Sequence, residues 1–134
     1  GEEYDDFNCP ESLDFDRYYA DAKALCQRED LDIVILEGLT VLYFEKLREL
    51  EDLKIFLDLD PEIRMYRRIV RNMAAGRGTM EEIADFYLHS AKYSETKYFI
   101  PTKLQADLVF NGHNFQGLAK TVLVQYVRSQ IDAQ

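Results

Sequence analysis

The chain has no tryptophan, two cysteines, two histidines, three prolines and six glycines. So few cysteines exclude a disulfide-stapled fold, and the spacing of Cys9 and Cys26 fits no zinc pattern. His89 and His113 stand far apart with no Cys or His at ligand spacing, which argues against a structural metal. Two reduced thiols suit a cytoplasmic protein. No apolar run approaches the roughly 18 residues that a membrane span needs, and no secretory segment is recognisable. Positive charge is also short: 16 basic residues face 25 acidic ones, for a net charge of −9. Such a surface repels phosphate backbones and anionic lipid, so neither nucleic acid nor membrane is an expected partner.

What is present is globular. Apolar types make up 47% of 134 residues and charged types 31%, enough for one core and one domain over 1–134. There is no repeat, low-complexity tract or Gly/Ser linker. Three short apolar runs, 33–36, 54–58 and 107–110, read as strands covered on both faces, as in a parallel sheet. Helical patterns separate them. Residues 13–26 follow Ser12 or Asp14 as a cap, and Asp60-Pro61-Glu62 starts a second helix. Thr79-Met80-Glu81-Glu82 has capping-box spacing and opens a third, through about Ser90. A last helix follows Gly117, with Leu118, Val122, Leu123, Tyr126 and Val127 expected to face inward. Strands alternating with helices predict a layered α/β fold.

Several places in this pattern carry chemistry. Glu37 follows the 33–36 run and precedes Gly38, where a buried strand would emerge at the carboxyl edge of the sheet. Ligands gather at that edge, and a carboxylate there suits magnesium; a solvent-facing Glu is the alternative. Arg64, Arg67, Arg68 and Arg71 fall at i, i+3, i+4 and i+7 on one helix face. Ile63, Tyr66, Val70 and Met73 form the expected core face opposite. An arginine stripe in so acidic a chain points to phosphate, which guanidinium binds bidentately; surface pairs with Glu62 and Asp58 are the alternative. Gly76-Arg77-Gly78 reads either as a mobile lid bearing one cation or as a helix end. Pro101-Thr102-Lys103 reads as a turn, and Tyr87, Tyr93 and Tyr98 as core or groove packing.

Taken in order, these segments resemble the uridine kinase family of P-loop phosphotransferases, within the phosphoribulokinase/uridine kinase superfamily. The resemblance is carried by Glu37-Gly38-Leu39, by 53–60, by Arg64 through Arg71, by Ile100-Pro101-Thr102-Lys103 and by Ala106-Asp107-Leu108. The opening stretch from Asp6 to Asp16, with Asn8-Cys9-Pro10-Glu11 within it, is similar to the segment after that family's catalytic-base region. The resemblance implies a three-layer parallel sheet of the P-loop kinase type and ATP-dependent phosphorylation of a nucleoside 5′-hydroxyl. ATP and a small nucleoside would be its partners, and homo-oligomerisation is left open. By the same analogy Glu37 would help place Mg2+ and Arg68 would be catalytic, near the transferred phosphoryl group. Arg71 and Arg77 would bind phosphates, and Asn8 the acceptor.

The departures set a second expectation. No Gly-x-x-x-x-Gly-Lys-Ser/Thr occurs in the sequence. The chain begins at Gly1 rather than Met, so it is expected to be the C-terminal part of a nucleoside-kinase-like fold. The N-terminal P-loop strand, which in the family lies between the strands corresponding to 33–36 and 54–58, would then be absent, and the chain alone inactive. Asn8 stands where the family has an aspartate, Cys9 where it commonly has histidine, and Phe86 where a polar residue contacts the base. The pyrimidine-reading hairpin has no counterpart in the short connection 27–32. The wording of 9–15 is also similar to nicotinamide riboside kinases, which lack that hairpin. Two alternatives therefore stand beside a uridine kinase-like enzyme: a nicotinamide riboside kinase-like one, or a non-catalytic homologue that binds a nucleotide or a protein.

Overall fold

Asp14 sets the start of the first helix: its carboxylate accepts a hydrogen bond from the Arg17 N–H at 3.2 Å, one of the donors a helix N-terminus leaves unmatched. The structure is a computed structural model that describes residues 8–133. Gly1 and the Asp6-Phe7 start of the opening motif lie outside the described residues. Helix α1 spans Phe15–Cys26, and α2 is a single turn, Glu45–Arg48. Strand β1 (Ile55–Asp58) leads into α3 (Pro61–Ala74). Then α4 (Met80–Phe86) runs on through a π-helical turn (Tyr87–Ala91), α5 (Lys92–Ser94), a second π-helical turn (Glu95–Phe99) and a 3-10 stretch (Ile100–Gln105). Strand β2 (Leu108–Asn111) and helix α6 (Leu118–Ile131) complete the order.

The expected capping box is present. Glu82 N–H donates to the Thr79 hydroxyl at 3.2 Å, and the Glu82 carboxylate accepts from Thr79 N–H at 2.7 Å. The Thr79 backbone N–H first, and then the Thr79 side chain, hold the Glu82 carboxyl below its ordinary range. The helix it opens continues well past Ser90, so Pro101-Thr102-Lys103 lies in 3-10 helix rather than in an open turn.

Strands β1 and β2 pair in parallel, Ile55 with Leu108 through Asp58 with Asn111. A parallel pair needs a long crossover, and α3 and the segment from α4 to the 3-10 stretch supply it. The chain is thus mixed α/β with a small parallel sheet. The core lies outside the strands, on the helical segments and the loop before α2: Ala22, Val41, Leu42, Leu47, Ile83, Tyr87, Ala91 and Phe99 are buried. Rings stitch it together, Phe15 against Phe44 at 4.3 Å, Tyr43 against Phe44 at 5.1 Å and Tyr43 against Tyr98 at 5.9 Å. Arg48 holds the loop over this cluster by donating to the Leu42 and Tyr43 carbonyls, both at 2.8 Å. Of the three tyrosines expected in packing, Tyr87 is buried, Tyr98 half-buried and Tyr93 exposed.

Three expectations are corrected. The run 33–36 is not a strand, because among the described residues no neighbouring backbone pairs with it, and Ile35 is 83% exposed. An apolar run has strand propensity, but only a ladder makes it a strand. Helix α3 is turned about its axis relative to the prediction. Tyr66, Val70 and Met73 are exposed, while Arg64, Met65, Arg68, Ile69 and Asn72 are half-buried on the side that meets α4. The face of α6 expected to point inward is largely open: Leu118, Val122 and Tyr126 are exposed, and only Leu123 and Val127 are half-buried. Two strands offer too narrow a floor to cover that helix.

Glu51, in the loop before β1, has both carboxylate oxygens buried, with no hydrogen-bond partner among the described residues. Burial raises its carboxyl above the ordinary value; Lys54 and Arg48 oppose that, and Asp107 adds to it. The folded chain therefore binds this proton more tightly than the unfolded chain does. Its contribution to stability is greatest below the unfolded value and declines as pH rises through the folded one. Glu51→Gln, a neutral side chain of the same shape, is expected to raise the unfolding midpoint at about pH 8 and to change it little at about pH 4. Urea unfolding at both pH values measures the difference, and an equal gain at both would rule out the buried charge as its source.

Candidate functional site

Two lysine–aspartate pairs frame the sheet. At the start of the strands the Asp107 carboxylate accepts from Lys54 N–H at 2.8 Å and lies 3.0 Å from Lys54 Nζ. These hydrogen bonds, the backbone one first, hold the Asp107 carboxyl below its usual range. At the carboxyl end Lys103 Nζ pairs with Asp58, the last residue of β1. The sequence quoted Lys103 within its motif but gave it no partner; the match becomes visible only once β1 and the 3-10 stretch lie side by side.

A groove of about 460 Å³ opens at that carboxyl edge, lined by Asp58, Leu59, Asp60, Phe110, Asn111 and His113. It is the location where open parallel sheets bind ligands. His113 lies across it, Nε2 at 3.3 Å from the Asp60 carboxylate, with its own N–H donated to Asn111 Oδ1 at 2.9 Å. Gly112 N–H donates to the Asp58 carbonyl at 2.7 Å. Any Cβ at position 112 would stand 2.9 Å from that same oxygen, so the approach of the two strand ends demands glycine.

The arginine stripe divides in two. Arg64 is committed to structure: Nη1 donates to the Leu59 carbonyl at 3.0 Å, and Nη2 to Glu95 Oε2 at 3.1 Å. The buried Tyr87 hydroxyl donates to the same Glu95 oxygen at 3.1 Å. Burial first, then the Glu95 charge, pushes that phenol up. Glu95 carried no signal in the sequence beyond being an acid in a helical stretch.

The other cations are not neutralised. Arg67, Arg68, Arg71 and Arg77 make no ion pair among the described residues. Arg68 is half-buried with its guanidinium carbon 5.4 Å from the centre of the Phe86 ring, within cation–π range. Arg67 and Arg71 are exposed. Arg77 stands between two glycines in the left-handed region, Gly76 at φ 65° and Gly78 at φ 129°. Its N–H donates to the Asn72 carbonyl at 2.9 Å, which folds the joint back on the end of α3.

Asn8 reaches the same neighbourhood. Its Nδ2 donates to Ser90 Oγ at 3.3 Å, and Ser90 lies one helical turn beyond Phe86 on the segment that begins with α4. The structure thus brings Asn8 and Arg68 to one helical segment, through Ser90 and Phe86; Arg71 lies farther along α3, and Arg77 just after its end. Glu37 is apart from this group. It is exposed, and it accepts no hydrogen bond and makes no ion pair among the described residues; burial first, then the Glu51 and Glu37 charges, raise the Tyr18 phenol. Both its oxygens are open to a hard cation. Among the described residues no group of three or more His, Cys, Asp or Glu gathers to hold a metal ion, so a magnesium ion at Glu37 would rest on that one carboxylate together with waters and substrate phosphates.

Gly112→Ala is expected to destabilise the chain by about 1–3 kcal/mol, since the added methyl must push the strand ends apart. Chemical denaturation measures it, and a loss under about 0.5 kcal/mol would show that the edge yields freely.

Comparison with known proteins places this geometry. Residues 14–118 match the model of the Phosphoribulokinase / Uridine kinase family. A uridine kinase of Lactococcus lactis subsp. cremoris is 34% identical over 105 residues, covering 78% of this chain and 49% of that protein. Uridine-cytidine kinase A of Dictyostelium discoideum is 35% identical over 100 residues, 75% of this chain and 20% of the relative. A uridine kinase of Anoxybacillus flavithermus is 36% identical over 88 residues, 64% of this chain and 42% of the relative. The chain spans about half the length of the Lactococcus protein it matches. No described helix is long and apolar enough to cross a membrane. The matched span runs from the cap of α1 to the start of α6 and takes in the whole arginine set, so the chain belongs to the phosphoribulokinase/uridine kinase family.

Proposed function

We propose that this chain forms the acceptor and lid side of a nucleoside kinase that transfers a phosphoryl group from ATP to a nucleoside 5′-hydroxyl. One observation carries the reading: in a chain of net charge −9, four arginines on and just after α3 have no carboxylate partner among the described residues. Surface arginines in so acidic a chain would readily find acids. Exposed pairs add little stability, so leaving these arginines unpaired costs little and keeps their charge available to a polyanionic ligand. Phosphoryl transfer is mostly positioning and charge neutralisation, the two things such a set supplies.

In this reading Arg68 faces the transferred group, Arg71 and Arg77 hold phosphate oxygens as the Gly76–Gly78 joint closes, and Asn8 meets the acceptor. Glu37 would hold magnesium, which when bound neutralises charge on the phosphates. The three-layer arrangement of P-loop kinases is part of the same proposal. Uridine is the first acceptor to test, since relatives bear the names uridine kinase and uridine-cytidine kinase.

A second reading has its own support. The 134 residues contain no Gly-x-x-x-x-Gly-Lys-Ser/Thr, and Asn8 donates its amide to Ser90. Both suit a homologue that binds a nucleotide or a protein without turning over. The test is transfer of labelled γ-phosphate from ATP to uridine, cytidine and nicotinamide riboside, in the protein that carries this chain. Arg68→Ala is expected to lower kcat by about 100- to 1,000-fold, as loss of a transition-state donor does. Nucleotide binding by calorimetry without any transfer would favour the second reading, and unchanged turnover in Arg68→Ala would remove the role given to that residue.

A further inference from the structure

We propose that Phe86 is the positioning residue of the arginine set: its ring holds the Arg68 guanidinium in place without neutralising it. The inference rests on the reading of the α3 arginines as an anion-handling group and names what prepares one of them.

The contrast with Arg64 makes the argument. One turn earlier on α3, Arg64 is fixed by a carboxylate and a carbonyl, so its charge is spent within the protein. Arg68 has no carboxylate among the described residues, yet it is half-buried, and its Nε is buried with no acceptor. A charged donor buried without an acceptor is costly, so something other than hydrogen bonding must set its position. Among the described residues its one aromatic contact is Phe86, at 5.4 Å. An aromatic face attracts a guanidinium through its quadrupole and carries no net charge. A carboxylate in the same place would cancel the cation that an anionic ligand requires.

Phe86 is exposed, but the segment that carries its ring is held from both sides. The Thr79–Glu82 capping box fixes where α4 starts. Ile83 and Tyr87, before and after Phe86, are both buried, and Tyr87 is tied to the Arg64–Glu95 pair. Phe86 ends α4 where the first π-helical turn begins. Its ring is therefore carried on a segment anchored to α3 on either side of the stacking contact. The Asn72 side-chain oxygen, one turn beyond Arg68, is likewise buried without a donor among the described residues. Beyond the bonds of Arg64, that face of α3 is held by packing.

The test is arginine Nε–Hε NMR on the 134-residue chain, with inorganic pyrophosphate as the probe. One Hε resonance should be shifted by the ring current, exchange slowly with solvent and disappear in Arg68→Lys. Phe86→Leu should abolish the shift and weaken pyrophosphate binding roughly two- to fivefold. Phe86→Trp, which keeps an aromatic face, should retain both the shift and the affinity. A ring-current shift that persists in Phe86→Leu, or an affinity equal in Phe86→Leu and Phe86→Trp, overturns the assignment. If the shift follows the ring as expected but saturating pyrophosphate leaves the Arg68 resonance unmoved, the positioning contact stands and the anion-handling reading alone fails.

Discussion

The pairing of β1 with β2 is the constraint on which the rest of the structure depends. Only four residues of each strand are matched, and 53 residues of chain separate Lys54 from its partner Asp107. Closing so long a loop carries an entropy cost that rises slowly with length but must be met before any ladder bond forms. The two lysine–aspartate pairs sit where they help most, one at each end of the ladder. Asp107 does double duty: its carboxylate receives the Lys54 N–H, while its own N–H donates to the Lys54 carbonyl at 2.8 Å. Exposed ion pairs are individually weak. Here their value lies in register, because a slip of one residue would break both pairs and bring a side chain against the Asp58 carbonyl where Gly112 now lies.

Register in turn places the chemistry. Helix α3 begins three residues after β1 ends, with Pro61 at its first turn, so the direction of the strand fixes where the arginines point. The segment from Met80 to Phe99 then serves as a single brace against α3, touching it through Glu95 to Arg64 and through Phe86 to Arg68. Asn8 joins the brace at Ser90. Its two π-helical turns interrupt the α-helical rotation between these contacts, which changes the face that later residues present. Such turns are rare in helices and are found disproportionately at functional sites.

Local chemistry was legible in the sequence and distant chemistry was not. The Asp14 cap, the Asp60-Pro61 start and the Thr79–Glu82 box each act within one turn, so spacing alone finds them. Strands 55–58 and 108–111 were readable because each is apolar and pairs with the other. The run 33–36 has the same composition but no ladder among the described residues, and composition carries no information about partners. The rotation of α3 was misread for a related reason. Tyr66, Val70 and Met73 are apolar, which predicts an inward face, yet α4 meets the side that bears Arg64 and Arg68. Arginine stems are hydrocarbon and can line a packed interface, so polarity was a poor guide to that face. The resemblance to uridine kinases located the arginines as a set, but which of them is spent on structure depended on Glu95, 31 residues away.

That division bears on how an acidic protein handles anions. The repulsion from a net charge of −9 is screened over roughly 8–10 Å at physiological salt, so a ligand feels the near charges more than the total. Around the end of α3 the near charges include Arg68, Arg71 and Arg77; the Glu82 carboxylate beside Gly78 is engaged by the Thr79 N–H, and neither Asp58 nor Asp60 along the groove pairs with the arginines among the described residues. Asp58 is occupied by Lys103 and Asp60 faces His113. Asp58 and Asp60, both close to the arginines in sequence, thus have partners of their own, which keeps the arginines' charge available. Pairing in one part of the fold is therefore the condition for unpaired charge in another, and substitutions at Lys103 or Glu95 should be judged by the arginines they expose to neutralisation as well as by the bonds they break.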